Sequence, residues 1–299
     1  MAAMGRFYPN WWLVADARHP FFAASRPLVF AHRGGSGLAP ENTITAFDMA
    51  MALGADGVEL DVRLSKDGVV VVHHDASLDR TTNTRGGVDA LNAGELACVD
   101  AGYHFRRGSS HPYRAQGIGV PTLADVLARV RDARVIVELK LNAPELAAAA
   151  LDVVRRADAV DRVCFGSFGR RVLRAARAAE PALATSAARE EVRWALYRSW
   201  CRWPHRRPAY VGFQVPEWTG RTRIVSPSFV DAAHRAGLGV QVWTVDAEDA
   251  ARRLLGLGVD ALITDRPDVI VPLVRGMSPS GDLRGVAARS IVANAAPDP

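Results

Sequence analysis

The sequence has few cysteines and few lysines, and it has no long apolar run. Three cysteines occur in 299 residues, at Cys98, Cys164 and Cys201, and no two of them form a CxxC pair. Their odd number and wide spacing argue against a disulfide framework and against a zinc site. We therefore expect reduced thiols in an intracellular protein.

No apolar run approaches the ~20 residues of a membrane-spanning helix. The N-terminal segment 1–27 is rich in aromatic residues, but Asp16, Arg18 and His19 interrupt it before a signal-peptide core can form. The sequence therefore predicts a cytoplasmic location, with peripheral membrane association as the alternative.

The basic residues are almost all arginines. Only Lys66 and Lys140 are lysines, although Lys and Arg together number 37 and the formal net charge is +5. A codon bias explains this excess without any function. The functional alternative is a basic field that attracts anionic substrates or membrane surfaces. The arginines are scattered and accompany no nucleic-acid-binding motif, so we expect no nucleic-acid partner.

Apolar runs alternate with amphipathic segments from Leu28 onward. We count eight principal strands alternating with helices, and an extra hairpin arm at 69–72 after the turn signal Asp67-Gly68. This alternation predicts an α/β fold of the (β/α)8 TIM-barrel type over residues 28–275. Residues 75–119 have weak periodicity and predict a small insertion after the second strand. Residues 1–27 are then an aromatic arm, and residues 276–299 a disordered tail.

Seven chemically distinctive residues lie at or near the C-terminal ends of predicted strands. In a TIM barrel the active site is built at this rim, because the loops that follow the strands converge there. One charged residue in such a place is typical of a solvated loop, whereas seven of them predict a functional site. The seven are His32, Glu59, Asp61, Glu138, Lys140, Trp243 and Asp265.

Three of the seven, Glu59, Asp61 and Glu138, are carboxylates that would converge in the barrel mouth. Carboxylates this close resist joint ionisation unless a cation compensates them. Oxygen ligands suit a hard ion, so we expect one divalent cation, Mg²⁺ or Ca²⁺. The alternative without a metal is a salt-bridge network with Arg33 and Arg63.

Histidines supply a candidate general acid and a candidate general base near neutral pH. His32 is one of them, and either His73 or His74 is the other, because neighbouring residues of a strand face opposite ways. Strand alternation leaves that choice open. Arg33 and Lys140 add the positive charge that would bind a phosphodiester and offset the charge of its transition state.

Short motifs around these residues occur in a recognisable order. They are His32-Arg33-Gly34, Pro40-Glu41-Asn42-Thr43, Glu59-Leu60-Asp61, His74-Asp75 followed by Leu78, Arg80, Thr81 and Thr82, Val137-Glu138-Leu139-Lys140, Trp243-Thr244-Val245, and Thr264-Asp265 followed by Pro267. As an ordered set they resemble the glycerophosphodiester phosphodiesterase family. The resemblance covers residues from about 28 to 274 and implies a TIM barrel with a small insertion after its second strand.

The resemblance implies roles for the histidines and for the substrate-binding residues. His32 and His74 would be the catalytic acid and base, which chooses between the two adjacent histidines. Arg33 and Lys140 would contact phosphate, and Trp243 would line the glycerol or headgroup side of the site.

The resemblance also implies a metal site and reveals one departure. Glu59, Asp61 and Glu138 would hold the divalent ion. Asp246 stands where the family often has Asn after Trp-Thr-Val, and its charge near the mouth would alter headgroup preference. We expect Asp246 to cap the helix that follows it.

The implied reaction is metal-dependent hydrolysis of a glycerophosphodiester, a small-molecule substrate, to sn-glycerol 3-phosphate and an alcohol. One alternative is lysophospholipase D-like hydrolysis of membrane-derived lipids. Another is a non-catalytic barrel that binds phosphodiesters, which would predict a missing histidine or carboxylate, and none is missing.

Residues 190–207 are rich in tryptophan, tyrosine and arginine. Trp194, Tyr197 and Trp200 follow one another at steps of three, and Trp203 continues the series. Such a segment is typical of an outer barrel helix that packs on its neighbours. The alternative is an interfacial helix that makes peripheral contact with a membrane.

Overall fold

A computed structural model describes residues 19–201 and 208–276. Its strands are β1 (Leu28–His32), β2 (Gly57–Leu64), β3 (Val70–Val72), β4 (Arg134–Leu139), β5 (Val163–Gly166), β6 (Ala184–Thr185), β7 (Gly212–Pro216), β8 (Trp218–Thr219), β9 (Thr222–Arg223), β10 (Gly239–Trp243) and β11 (Ala261–Thr264). Eight of them lie side by side in the order β6-β5-β4-β2-β1-β11-β10-β7. A parallel bridge from Ser186 to Gly212 nearly closes the ring. The predicted TIM barrel, with its eight principal strands, is confirmed.

Helices follow the strands on the outside of the barrel. Thr43 and Ser226 cap the first turns of α1 and α7, and Thr122 with Asp125 forms the predicted capping box of α3. The helices are α1 (Ile44–Ala52), α2 (Ala93–Leu96), α3 (Leu123–Arg129), α4 (Pro144–Arg156), α5 (Arg170–Ala179), α6 (Arg189–Trp200), α7 (Pro227–Arg235), α8 (Glu248–Gly256) and α9 (Pro267–Arg275).

The predicted capping role of Asp246 is wrong. Helix α8 begins after Ala247, which makes no side-chain cap. Asp246 Oδ1 instead accepts hydrogen bonds from the Asp265 backbone amide at 2.7 Å and from Thr264 Oγ1 at 3.0 Å. Both donors lie at the end of β11, so the carboxylate joins two neighbouring strand ends.

The predicted hairpin arm precedes residues 75–119, and in it β3 pairs antiparallel with β2. Residues 75–119 then contain α2 and a small apolar core that includes Leu78, Val88 and Leu96. Val71 of β3 belongs to the same core, so the insertion is packed against the barrel.

Two phenylalanines that precede β1 fill the floor of the barrel. Phe21 and Phe22 are buried together with Phe30 of β1. The Phe22 ring fits beneath β7 and β10 because positions 212 and 239 are glycines, and a Cβ at either would lie 2.7 Å from the ring. Residues 1–18 of the predicted arm and residues 277–299 of the predicted tail lie outside the described residues.

Strand alternation sends charged side chains into the barrel mouth. Val58, Leu60 and Val62 of β2 are buried in the apolar core, whereas Glu59 and Asp61 lie on the opposite face of the strand.

Among the described residues, no helix combines the length and apolarity needed to cross a bilayer.

Candidate active site

Three carboxylates meet toward the C-terminal ends of β2 and β4. One oxygen each from Glu59, Asp61 and Glu138 lies within 4.8 Å of the other two. Parallel pairing causes this proximity, because Asp61 lies opposite Glu138 in the register of the two strands. Glu59 and Asp61 are only 5% and 1% exposed. The residues predicted to hold a divalent ion are therefore adjacent in the fold.

Two cations compensate these carboxylates in part. Lys140 Nζ lies 3.3 Å from Asp61 Oδ1 and 3.2 Å from Glu138 Oε1, and Arg33 Nε lies 3.2 Å from Asp61 Oδ2. Burial raises the pKa of Asp61, but Lys140 and Arg33 outweigh burial and the pKa falls below its ordinary value. Burial and the neighbouring Asp61 raise the pKa of Glu59 to about 8. Burial also raises the pKa of Glu138.

This donor set fits a hard divalent cation. Carboxylate oxygens are the ligands that Mg²⁺ and Ca²⁺ accept, and Glu59 and Glu138 have raised pKa values that a nearby cation would lower. Of the two arginines in the alternative salt-bridge network, Arg33 contacts Asp61. Arg63 instead donates from Nε to the His74 backbone oxygen at 3.0 Å.

The imidazole of His32 is held by a carboxylate. Its Nδ1 lies 2.7 Å from Asp265 Oδ1, and Ser36 Oγ donates to the same oxygen at 2.5 Å. A carboxylate accepts hydrogen bonds, so Nδ1 of His32 carries a proton toward Asp265, and Nε2 lies 3.8 Å from Glu59 Oε2. Burial lowers the pKa of His32, but Glu59 and Asp265 outweigh burial and raise the pKa to about 9.

His74 is held in the same way, with its Nδ1 2.6 Å from Asp75 Oδ1. His73 turns elsewhere, because its Nε2 lies 3.1 Å from the Ser77 backbone oxygen. Strand β3 ends at Val72, so both histidines lie beyond the strand on which the sequence placed them. His74 lines the same cavity as His32.

The loop after β1 folds back over the carboxylates. Arg33 has a φ of 52° and Gly34 a φ of 86°, and a Cβ on Gly34 would lie 2.6 Å from the Ala46 side chain. This turn lets the Arg33 backbone amide donate to Glu59 Oε2 at 3.1 Å. Farther along the loop, Asn42 Nδ2 donates to Asp61 Oδ2 at 2.9 Å.

Arg80 of the insertion ties this loop to His74. Its two terminal nitrogens each donate to a Glu41 oxygen at 2.7 Å, and its Nε donates to Asp75 Oδ2 at 2.6 Å. Arg33 Nη1 donates to Glu41 as well, at 3.0 Å. Burial raises the pKa of Glu41, but Arg80 and Arg33 outweigh burial and lower it. Arg80 also outweighs burial at Asp75 and lowers its pKa.

A cavity of about 800 Å³ joins the predicted site residues. His32, Arg33, Glu59, His74, Glu138, Lys140 and Trp243 line it. Asp61 lies too deep to reach it and contacts Lys140 and Arg33 instead. One face of α6 forms another wall, through residues spaced three and four apart: Arg189, Val192, Arg193, Leu196, Tyr197 and Trp200.

Sequence reasoning missed three supporting groups and the α6 wall. Glu41, Asn42 and Arg80 stand within the motifs, but no local pattern showed that they contact site residues. The strand-end pattern placed Asp265 at the rim, but it did not predict that Asp265 contacts His32. The position of Glu41, Asn42 and Arg80 within the motifs was the available signal, and it does not identify their contact partners.

A TIM barrel whose mouth gathers two carboxylate-held histidines and three carboxylates is the architecture of an enzyme. The model of the glycerophosphoryl diester phosphodiesterase family matches residues 32–269. The chain belongs to this family.

Curated relatives and solved structures agree with this assignment. A glycerophosphodiester phosphodiesterase of Caldanaerobacter subterraneus subsp. tengcongensis is 32% identical over 255 residues, covering 84% of this chain and 98% of the relative. An Oleispira antarctica phosphodiesterase, solved in complex with the product sn-glycerol-3-phosphate, is 28% identical with a TM-score of 0.69, covering 84% of this chain and 97% of that one. The glycerophosphoryl diester phosphodiesterase domain of a Mycobacterium tuberculosis protein is 26% identical with a TM-score of 0.72, covering 83% and 98%.

Replacing Arg80 by methionine removes compensation from Glu41 and Asp75. Arg80 lowers the folded-state pKa of both carboxyls, so its stabilisation is present above their ordinary pKa values of about 4 and is lost as pH falls through the lowered values. We expect Arg80→Met to reduce the free energy of unfolding by about 1–3 kcal/mol at neutral pH. Urea denaturation should show this loss shrinking toward pH ~3.

Arg156→Met is the matched control, because Arg156 pairs with Asp152 on an exposed face of α4. An exposed pair contributes less than about 1 kcal/mol, so little change is expected. A loss for Arg80→Met that is the same at neutral and acid pH would contradict the electrostatic explanation.

Proposed function

We propose that the enzyme hydrolyses glycerophosphodiesters to sn-glycerol 3-phosphate and an alcohol, with one divalent cation and two histidines. One observation carries this proposal. His32 and His74, each with Nδ1 held by a carboxylate, line the same cavity as two of the three clustered carboxylates. The names of the relatives and the product bound to the Oleispira antarctica enzyme support the substrate class.

The proposed cation is held by Glu59, Asp61 and Glu138. Mg²⁺ and Ca²⁺ both accept such oxygen ligands. When bound, the cation supplies positive charge that polarises the phosphoryl oxygens. The short distance between the three carboxylates supports this assignment.

The two histidines divide the proton transfers. One imidazole takes a proton from the nucleophile at Nε2, and the other gives a proton to the oxygen of the leaving alcohol. Asp265 and Asp75 accept hydrogen bonds from the Nδ1 atoms, so Nε2 is the atom of each ring through which a proton is exchanged. The nucleophile is water, or a neighbouring glycerol hydroxyl that forms a cyclic phosphate which water then opens. In either case an oxygen–phosphorus bond forms as the bond to the alcohol breaks.

Cationic and aromatic side chains complete the proposed substrate site. Arg33 and Lys140 line the cavity and offset negative charge that develops on the phosphoryl oxygens. Trp243 lines the glycerol or headgroup side, where its ring meets Phe168 edge-on at 6.1 Å.

The apolar part of the cavity favours a second candidate, lysophospholipase D-like hydrolysis. Val192 and Leu196 of α6 line the cavity together with Val215 and Ile224. These side chains would shelter an acyl chain, which gains about 0.8 kcal/mol for each CH₂ group removed from water. A lysophospholipid carries the same phosphodiester group with such a chain attached.

The histidine assignment is tested with glycerophosphocholine as substrate. We expect His32→Ala and His74→Ala each to lower kcat by at least ~100-fold, because a proton transfer is lost. Circular dichroism should show that both variants keep the fold. His104→Ala, at an exposed histidine of the insertion, is the control and should keep full activity. If the double variant with both His32→Ala and His74→Ala kept the unmodified kcat, the histidine assignment would be wrong.

The metal site is tested by calorimetry as well as by activity. Chelation should abolish hydrolysis, and Mg²⁺ or Ca²⁺ should restore it. In isothermal titration, Asp61→Asn or Glu138→Gln should weaken cation binding by more than about 100-fold, because a ligand is removed. Asp246→Asn is the control, since Asp246 lies near the mouth and bonds Asp265 and Thr264. Equal cation affinity in all of these proteins would count against the assigned ligands.

The two substrate classes are separated by measuring kcat/KM for glycerophosphocholine and lysophosphatidylcholine. If the acyl chain lies along α6, Val192→Asn should lower kcat/KM for lysophosphatidylcholine about tenfold, since apolar burial is lost. The value for glycerophosphocholine should stay the same. A parallel fall for both substrates, or no hydrolysis of the lipid by the unmodified enzyme, would refute the second candidate.

A further inference from the structure

Among the described residues, five aromatic side chains are exposed, and they gather at one margin of the catalytic cavity. We call this set the aromatic edge. Its exposed fractions range from 47% to 67%, and its members are Phe168, Trp194, Tyr197, Trp200 and Trp218. Exposed apolar surface concentrated in one place marks an interaction site.

Contacts within the set make the edge continuous with the cavity. On α6 the Tyr197 ring lies between those of Trp194 and Trp200, with centroid distances of 6.3 and 5.5 Å. Phe168, Tyr197 and Trp200 also line the cavity, as does Thr219, which follows Trp218. A ligand on the aromatic edge would therefore meet the entrance to the catalytic residues.

Positive charge accompanies the aromatic edge. Between residues 168 and 200 one carboxylate, Glu190, is exposed, against five exposed arginines: Arg170, Arg171, Arg174, Arg189 and Arg193. The Arg189 guanidinium lies 4.8 Å from the centre of the Phe168 ring. The surface therefore complements an anionic partner.

Three of these arginines form a cluster beside the cavity. Arg170, Arg171 and Arg174 of α5 surround a depression of about 420 Å³ with Asn142 and Glu190. Arg170 Nη1 lies 3.9 Å from Glu190 Oε2, so one charge of the cluster is compensated loosely. The remaining positive charge suits a phosphate group.

We propose that the aromatic edge and the arginine cluster dock the enzyme on anionic lipid bilayers, with the catalytic cavity opening toward the headgroups. Tryptophan and tyrosine favour the headgroup region of a bilayer, where the ring is sheltered and its polar atom stays hydrated. Arginines beside them bind anionic lipids. This docking goes beyond the proposed hydrolysis and does not depend on its chemistry. Residues 202–207 of the segment predicted for membrane contact lie outside the described residues.

Interleaved charge favours lipid over a protein partner. A protein interface concentrates apolar side chains at its centre and places polar ones in a rim. Here Arg189 lies against Phe168, and Arg223 lies 5.6 Å from the Trp218 ring. Long arginine side chains can lie along such rings while their charged ends reach the headgroup phosphates.

Vesicle flotation of the full-length chain tests the docking. We expect binding to vesicles of phosphatidylcholine with phosphatidylglycerol, and at least ~tenfold weaker binding to pure phosphatidylcholine. Each arginine near an anionic surface contributes roughly fivefold to affinity, so Arg171→Gln with Arg174→Gln should lower binding roughly 25-fold. Trp194→Ala should also weaken binding at least ~fivefold.

Two controls separate this surface from the net charge and from catalysis. Arg131→Gln with Arg235→Gln removes the same charge from exposed positions near the ends of α3 and α7, and should leave binding within about twofold. Trp194 does not line the catalytic cavity, so Trp194→Ala should hydrolyse soluble glycerophosphocholine at the unmodified rate. The docking proposal is overturned if anionic vesicles do not bind the enzyme, which would point to a protein partner. It is equally overturned if the control variant loses as much binding, or if Trp194→Ala and the double arginine variant both bind as the unmodified chain does.

Discussion

The crowding of three carboxylates in the barrel mouth is the constraint on which the surrounding structure depends. Parallel pairing of β2 with β4 forces Asp61 and Glu138 side by side, and buried like charges are costly unless compensated. Neighbouring elements supply the compensation through Lys140 at the end of β4, Arg33 in the loop after β1, and the side-chain amide of Asn42. The charged side chains of the site thus compensate one another in part.

The same electrostatic logic extends into the insertion. Arg80 binds Glu41 of the first loop and Asp75, which in turn holds His74. The insertion therefore contributes to the candidate site, because Arg80 connects the loop after β1 to His74 through Glu41 and Asp75. Ion pairs of this kind also explain why charged residues of the motifs are spread over so many positions in the chain.

The fold and most residues of the candidate site could be predicted from sequence, because the ends of strands follow from local signals. Apolar alternation located the strands, and the strand-end rule gathered Glu59 with the other rim residues. The orientation of individual side chains could not be predicted, because it depends on tertiary contacts. The chain leaves β3 at Val72, so alternation could not choose between the adjacent histidines, and Asp246 bonds partners on β11 that no local pattern reveals. Nor did the aromatic spacing of α6 show that the helix lines the cavity.

At the opposite end of the barrel, Phe22 occupies the space that Gly212 and Gly239 leave vacant. The three positions are far apart in the chain, yet they share one fixed volume. A methyl group gained at either glycine must be matched by a smaller side chain in place of Phe22, since packed interiors have little spare room. We therefore expect positions 22, 212 and 239 to change together in evolution, because a substitution at one restricts the side chains that fit at the other two.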